Sequence, residues 1–184
     1  MSMPISLPCT IQNVNGEKLT FLRIINKDGI EYLEIENEVL PAAGPPMHTH
    51  YKQDELMTIK QGKIGTQVLG EVPKYFLQGE TVIFKAGTPH KFWNAGKDVL
   101  ICTGYVSPAH NLVYFLSQIY ASTNKNGGQP GIYDAAYLLS RYKSEFGMNE
   151  IPAFVQKTIF PIVLFTGNLM GQHKKFEDAP EPVI

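Results

Sequence analysis

Three histidines and one glutamate stand out by type and spacing. In Gly44-Pro45-Pro46-Met47-His48-Thr49-His50-Tyr51-Lys52-Gln53-Asp54-Glu55, the two histidines are separated by one residue. Residues i and i+2 of an extended strand share a face, so both imidazoles point the same way, at a separation that can chelate a metal. Glu55 opens the next extended run after a bend over Tyr51 to Asp54, which makes its carboxylate a candidate third ligand. Further on, a strand runs through Gly79-Glu80-Thr81-Val82-Ile83-Phe84 into the turn Gly87-Thr88-Pro89, and His90 begins the strand after it. A barrel would aim that imidazole inward, beside the other three groups. Nitrogen and oxygen donors of this kind suit one divalent transition metal from the series Fe, Mn, Ni, Co, Cu and Zn. An octahedral ion held by four such groups keeps two positions open for water, oxygen or substrate. The histidines must be neutral to bind, so affinity is expected to fall as pH drops toward ~6.5. The competing reading is a metal-free barrel with four unrelated polar residues. Burying them without a metal or a dense hydrogen-bond network would be costly.

These groups need a scaffold, and the first ~110 residues supply one by pattern. Short runs rich in β-branched and aromatic residues predict strands at Lys18 to Ile25, Glu31 to Glu38, Glu55 to Lys60, Lys63 to Leu69, Val72 to Leu77, Thr81 to Phe84, Lys91 to Asn94 and Val99 to Val106. Turn residues punctuate them, as in Asn26-Lys27-Asp28-Gly29 and Asn94-Ala95-Gly96. Many short strands at even spacing indicate an antiparallel barrel or sandwich and exclude a βαβ fold. After Ser107-Pro108 the apolar period becomes helical. Helices are expected over Asn111 to Ser122, over Tyr133 to Phe146 (stopped by Gly147-Met148-Asn149), and from Pro152 toward Gly171 with a kink at Pro161. The tail from Lys174 to Ile184, with three acids and two prolines, reads as mobile. The division is thus a barrel over 1–108 and a helical extension over 109–184, packed on the barrel or at a dimer interface.

Composition narrows the function classes. The 184 residues suffice for one domain with a core, and 16 basic against 17 acidic residues give no electrostatic reason to expect nucleic acid or an anionic membrane as partner. The start, MSMPISLPCT, lacks the basic and apolar regions of a secretory signal. The apolar run Ile159 to Phe165 falls short of the ~20 residues of a membrane span and reads as a buried helix or a subunit contact. Cys9 and Cys102 form no CxxC pair and read as thiols in a reducing cytoplasm.

The two histidine-bearing segments resemble the two motifs of the cupin superfamily. Gly44 to Gly62 carries His-x-His, four residues, Glu, then six residues and Gly; Gly79 to Asn94 carries Gly, a later Gly-x-x-His, and Asn four residues on. The resemblance covers roughly residues 30 to 108. It implies an all-β fold, the cupin double-stranded β-helix or jelly-roll barrel, here with an α-helical C-terminal extension. It also implies that His48, His50, Glu55 and His90 are the metal ligands. Gly44 stands nearer to His48 than the motif has it, and Lys85 replaces the motif's proline.

Strand alternation extends the site. If Glu55 points inward, so do Met57 and Ile59, either as pocket walls or as simple core packing. Phe92 shares the face of His90, which turns Trp93 outward. Tyr51 and Gln53 read as exposed turn residues near the mouth. Tyr105, on the last strand, could reach the cavity as an acid or a donor, although nothing in the sequence fixes that strand's parity. His110 reads as a capping or surface residue and His173 as part of a basic helix end. The function expected is that of a metal-dependent enzyme. Resemblance to quercetin-dioxygenase-like cupins makes oxygen insertion the first reaction class, with Glu55 as ligand or base, acting on a small, apolar or aromatic molecule. Isomerase or lyase chemistry and a non-catalytic sensor are the alternatives, and a homodimer is expected from the resemblance.

Overall fold

Along the barrel strands every second side chain is buried, and this alternation organises the molecule. The structure, a computed structural model, describes residues 6–184; the first half of the MSMPISLPCT segment lies outside the described residues. Strands β1 (Cys9–Gln12), β2 (Glu17–Lys27), β3 (Ile30–Val39), β4 (His48–His50), β5 (Asp54–Gln61), β6 (Lys63–Val68), β7 (Lys74–Leu77), β8 (Thr81–Phe84), β9 (His90–Asn94), β10 (Leu100–Ser107) and β11 (Phe146–Met148) form two sheets. One runs β1-β2-β3-β10-β5-β8 and the other β11-β4-β9-β6-β7, with antiparallel pairing throughout. The inward set is Glu17, Leu19 and Phe21 on β2, Leu33, Ile35, Asn37 and Val39 on β3, Glu55, Met57 and Ile59 on β5, and His90, Phe92 and Asn94 on β9. Two faces that alternate buried and exposed residues pack against each other as a jelly roll.

Helices α1 (Leu112–Lys125), α2 (Ile132–Arg141) and α3 (Phe160–Leu169) follow, with a π turn (Val155–Ile159) before α3 and a 3-10 turn (Gln172–Phe176) after it. One core cluster fills the barrel with Val39, Met57, Ile59, Ile64, Val82, Phe84, Phe92, Leu100 and Cys102. A second joins the sheet to the helices through Phe21, Leu33, Val106, Leu112, Phe115 and Leu138. The helices therefore lie on the sheet carrying β2, β3 and β10. At roughly 25 cal/mol per Å² this burial is the main force holding them there. Both cysteines are free thiols, Cys9 half-buried and Cys102 buried.

Four expectations need correction. The second helix stops at Arg141, and Phe146–Met148 form an edge strand, β11, pairing with β4. A side chain at Gly147 would run into the Tyr51 ring, so the glycine serves this strand contact and not a helix stop. The segment from beyond residue 108 thus completes a sheet of the barrel. Second, the tail is held in place. Phe176 is buried and stacks on Tyr137 at 4.3 Å. The Tyr142 hydroxyl donates to the Pro180 carbonyl at 2.9 Å, and Ser144 Oγ donates to the Val183 carbonyl at 2.7 Å. Third, the irregularity expected at Pro161 takes the form of π turns over Val155–Ile159 that run directly into α3 within one continuous helical stretch. Fourth, the Ile159 to Phe165 run is only half covered: Phe160 is buried, but Ile162 and Phe165 are 57% and 66% exposed. Among the described residues no helix is long and apolar enough to cross a membrane.

Candidate metal centre

The four expected ligands come from both sheets. β4 and β9 pair His48 with His90 in register, and β5 brings Glu55 from the opposite sheet, where it faces Phe84 of β8. The ring centroids of His48 and His90 lie 4.4 Å apart, those of His48 and His50 5.0 Å, and those of His50 and His90 5.8 Å. One donor atom from each of the four groups can be chosen so that all lie within 4.8 Å of one another. His50, Glu55 and His90 are buried and His48 is half-buried.

Backbone contacts fix the imidazoles. His48 Nδ1 is 2.9 Å from the Pro46 carbonyl and His90 Nδ1 is 2.8 Å from the Thr88 carbonyl. A carbonyl only accepts, so both Nδ1 atoms carry the proton, and both Nε2 lone pairs are free to bind. The Phe84 ring stacks on His90 at 3.8 Å and holds its plane. The turn before His90 is pinned to β5, because Asp54 accepts from Lys85 Nζ at 2.7 Å and from the Ala86 N–H at 2.9 Å. Lys85, the departure from the cupin motif, is therefore half of the tie that positions this turn. Gly44, the other departure, lets the chain pass close to β9, since a side chain there would strike the Phe92 carbonyl.

Electrostatics leave the site rich in lone pairs. Burial, reinforced by the other two imidazoles, pushes His48 down to about 3, and burial also lowers His50. Burial alone would raise Glu55, but the adjacent His90, with His50 and His48 around it, outweighs that and brings it down to about 2. Glu55 Oε2 stands 3.1 Å from His90 Nε2 and 3.7 Å from His50 Nε2. With its Nδ1 proton committed to the Thr88 carbonyl, His90 turns its Nε2 lone pair toward the ionised Glu55, so an acceptor faces an acceptor. A divalent cation between them resolves it, so the donor set fits a metal of the N/O-binding series.

The ligands open onto a cavity of about 660 Å³. Its walls are mostly apolar: Leu19, Ile35, Phe92 and Val106 from the barrel, Leu112, Phe115, Leu116 and Ile119 from α1. No lysine or arginine lines it among the described residues. Phe92 thus lines the cavity that the ligands border. Met57 and Ile59 are buried in the barrel core and do not line the cavity. Tyr105 sits on the outer face of β10, between inward Gly104 and Val106, with its ring edge-on to Tyr32 at 5.0 Å. Gln53 is not an exposed turn residue but 1% exposed, and its amide neighbours His50, whose Nδ1 meets no other partner. Tyr51 is exposed.

Sequence reasoning passed over Glu17, Asn37 and Tyr120, which also line the cavity. Asn37 was detectable, as a polar residue in the inward set of Leu33, Ile35 and Val39. Glu17 shares parity with Leu19 and Phe21 but precedes the expected start of its strand.

Residues 36–104 match the family model described as "Cupin domain", and the two-sheet jelly roll is the cupin fold. All four candidate ligands lie inside the matched segment. A stretch of 52 residues is 38% identical to the probable oxidoreductase virH of Hypocrea virens, covering 28% of this chain and 24% of that protein. The match thus spans about a quarter of that relative's length. Among solved structures, KdgF from a Halomonas species is 17% identical, with a TM-score of 0.47 over 56% of this chain and 91% of the other. The Cnp3 cupin domain of Schizosaccharomyces pombe is 21% identical, with a TM-score of 0.43 over 59% and 74%.

Proposed function

We propose that this chain is a metal-dependent cupin enzyme that oxidises a small, largely apolar molecule, with molecular oxygen as co-substrate. The observation carrying this reading is the placement of His48, His50, Glu55 and His90 at one end of an apolar cavity large enough for such a molecule. These four residues would hold the ion. A bound divalent metal supplies Lewis acidity and, for iron, manganese, nickel, cobalt or copper, a path for electrons between substrate and oxygen. The chain's own part is positioning. Pro46 and Thr88 fix the Nε2 lone pairs, Phe84 holds the His90 plane, and Phe92 with α1 packs the apolar body of the substrate and excludes water. Glu55, kept ionised by its neighbours, acts as a ligand; its low basicity makes proton abstraction the lesser role. A phosphorylated sugar fits poorly, because no cationic side chain lines the cavity to meet a phosphate.

A binding or sensor module is the second reading, favoured by the contribution of α1 to the cavity wall. Ligand contacts there would pass directly to the helical region. The exposed apolar residues of α3 are the proposed homodimer contact, and the free thiols fit a reducing cytoplasm. The deciding experiment is metal content by elemental mass spectrometry on protein prepared without chelator or nickel, followed by oxygen uptake with candidate aromatic substrates. About one equivalent of metal, lost in His48→Ala/His90→Ala, together with substrate-dependent oxygen uptake, supports the enzyme. Ligand binding without turnover in the loaded protein would leave the sensor. Failure to take up any metal after reconstitution at neutral pH sinks the metalloenzyme and leaves a ligand-binding barrel.

A further inference from the structure

Besides the candidate ligands, three polar side chains, Glu17, Asn37 and Tyr120, interrupt the apolar wall of the cavity. Glu17 begins β2 and Asn37 lies diagonally across from it on the inner face of β3, with Leu19 paired to Asn37 and Glu17 to Val39. Tyr120 of α1 closes over them, its phenol neighbouring the Glu17 carboxyl. All three are buried and all three line the cavity. Burial, with the Glu55 carboxylate of the metal end adding to it, raises both the Glu17 carboxyl and the Tyr120 phenol, although Asn13 and Tyr120 partly offset this at Glu17.

A purely architectural role does not account for the group. The turn before β2 is closed by the Glu17 backbone: Asn13 N–H donates to the Glu17 carbonyl at 2.9 Å, and the Glu17 N–H donates to Asn13 Oδ1 at 3.2 Å. The carboxyl accepts one amide bond, from Asn13 Nδ2 at 3.1 Å, and faces the Tyr120 hydroxyl. Asn37 Oδ1 meets no donor among the described residues. Polar atoms sunk in an apolar wall without full partners are costly, and an apolar pair at these positions would be cheaper. The cluster has a surplus of acceptors, and no cationic side chain lines the cavity to satisfy them.

We propose that Glu17, Asn37 and Tyr120 form a distal recognition site for a hydrogen-bond-donating group, a hydroxyl or an ammonium, on a small molecule whose other end reaches the His48, His50, Glu55 and His90 cluster. This rests on the cavity reading above and adds a substrate class to it: an apolar or aromatic body with a metal-binding oxygen at one end and a donor at the other. Glu17 is then a specificity residue with no part in holding the metal.

The test uses zinc-loaded protein, which is redox-silent, and three probes of one shape: 4-ethylcatechol, 4-(2-hydroxyethyl)catechol and 4-(2-aminoethyl)catechol. Each presents the same oxygens to the metal, and only the last two carry a distal donor. Calorimetric titration should show one or both of these binding about 10-fold tighter than 4-ethylcatechol, the size of one good buried hydrogen bond. Which of the two is preferred distinguishes the hydroxyl from the ammonium. Glu17→Ala and Asn37→Ala should shrink the preference to less than about twofold, whereas a general disturbance would weaken all three probes alike and leave the ratio intact. If the alanine variants fail to fold by circular dichroism, Glu17→Gln, which should abolish an ammonium preference, and Tyr120→Phe, which should reduce a hydroxyl preference, carry the test. Equal affinities in the wild type, or a preference that survives these substitutions, overturns the proposal while leaving the metal cavity standing. If zinc-loaded protein binds none of the probes, the cavity reading fails and this inference falls with it.

Discussion

Glu55 and Glu145 are both buried carboxylates, and they are satisfied in opposite ways. Glu55, in the barrel, stands 3.1 Å from His90 Nε2, which can only offer it a lone pair once the His90 Nδ1 proton is committed to the Thr88 carbonyl. Glu145, in the helical region, is 0% exposed yet accepts from the Asn111 N–H at 3.2 Å, from Asn111 Nδ2 at 2.7 Å and from the Val183 N–H at 2.9 Å. The first arrangement calls for a cation, and the second is complete without one. A buried carboxylate therefore marks a metal site only when its neighbours are acceptors; when they are donors it marks a structural latch. Here the latch ties the loop before α1 and the C-terminal tail to the strand that borders His50.

Removing ligands should separate the two regions most sharply. His48→Ala/His90→Ala is expected to lower zinc affinity by more than about 100-fold, measured by competition with a chromophoric chelator. Glu145→Gln should change that affinity by less than about threefold. If the Glu145 variant lost metal as completely as the histidine variant, the separation of site from latch would be wrong.

Stability should respond in the opposite order. Glu145→Ala strands three buried N–H groups, at a cost of about 2–4 kcal/mol. For a chain of this size that is a fall in Tm of roughly 4–16 °C. Truncation after Asp178 removes the Val183 donor and the carbonyls that Tyr142 and Arg141 bond. Combined with Glu145→Ala it should be markedly non-additive, since both break one network. Additive losses in a double-mutant cycle would show that the tail and Glu145 are not coupled.

The contrast also explains what could be read in the sequence. Barrel positions follow from a period of two and from turn residues that act locally, so the Thr81–Phe84 strand was placed to the residue and the four candidate ligands were found by spacing. The latch depends on residues 34 and 38 positions apart, which no periodicity reports. For the same reason β11 read as the end of a helix: Phe146 through Met148 are a strand only because β4 lies beside them. Tyr105 shows the limit within the barrel. Its strand carries Gly104 among the inward positions, so alternation is silent there, and only the register with Leu56 and Glu34 settles that it faces out.

Acid should unmake the metal end before the latch. His48 titrates at about 3 in the folded chain against an ordinary 6.5, and Glu55 at about 2 against 4.5. Both are depressed, so in each case the unfolded chain binds protons first. The stability they contribute is fully present above about pH 6.5 and is lost as pH falls, through the histidine window and then the carboxylate one. Metal-free protein should therefore show a Tm that declines steadily from pH 7 to pH 4, and His48→Ala should flatten that decline. Because burial holds His48 and His50 below the ordinary histidine value, their share of metal affinity should also persist below the pH 6.5 expected of free histidines. A Tm independent of pH across this range would contradict the shifts.

The smallest effect tests the most local support of the site. Asp54 and Lys85 are exposed, so their ion pair is largely screened and adds little to overall stability. Lys85 nevertheless holds the turn that delivers His90, and Asp54 also accepts from the Ala86 N–H in that turn. Lys85→Ala leaves the backbone bond in place, so zinc affinity should fall by less than about threefold. Asp54→Ala removes both ties and should cost about 10-fold, the lower end of what an outer partner of a metal ligand contributes. In both variants Tm should stay close to that of the wild type. Equal losses of affinity in the two variants would assign the positioning to the ion pair, and no loss in either would place it with the Thr88 carbonyl and Phe84 alone.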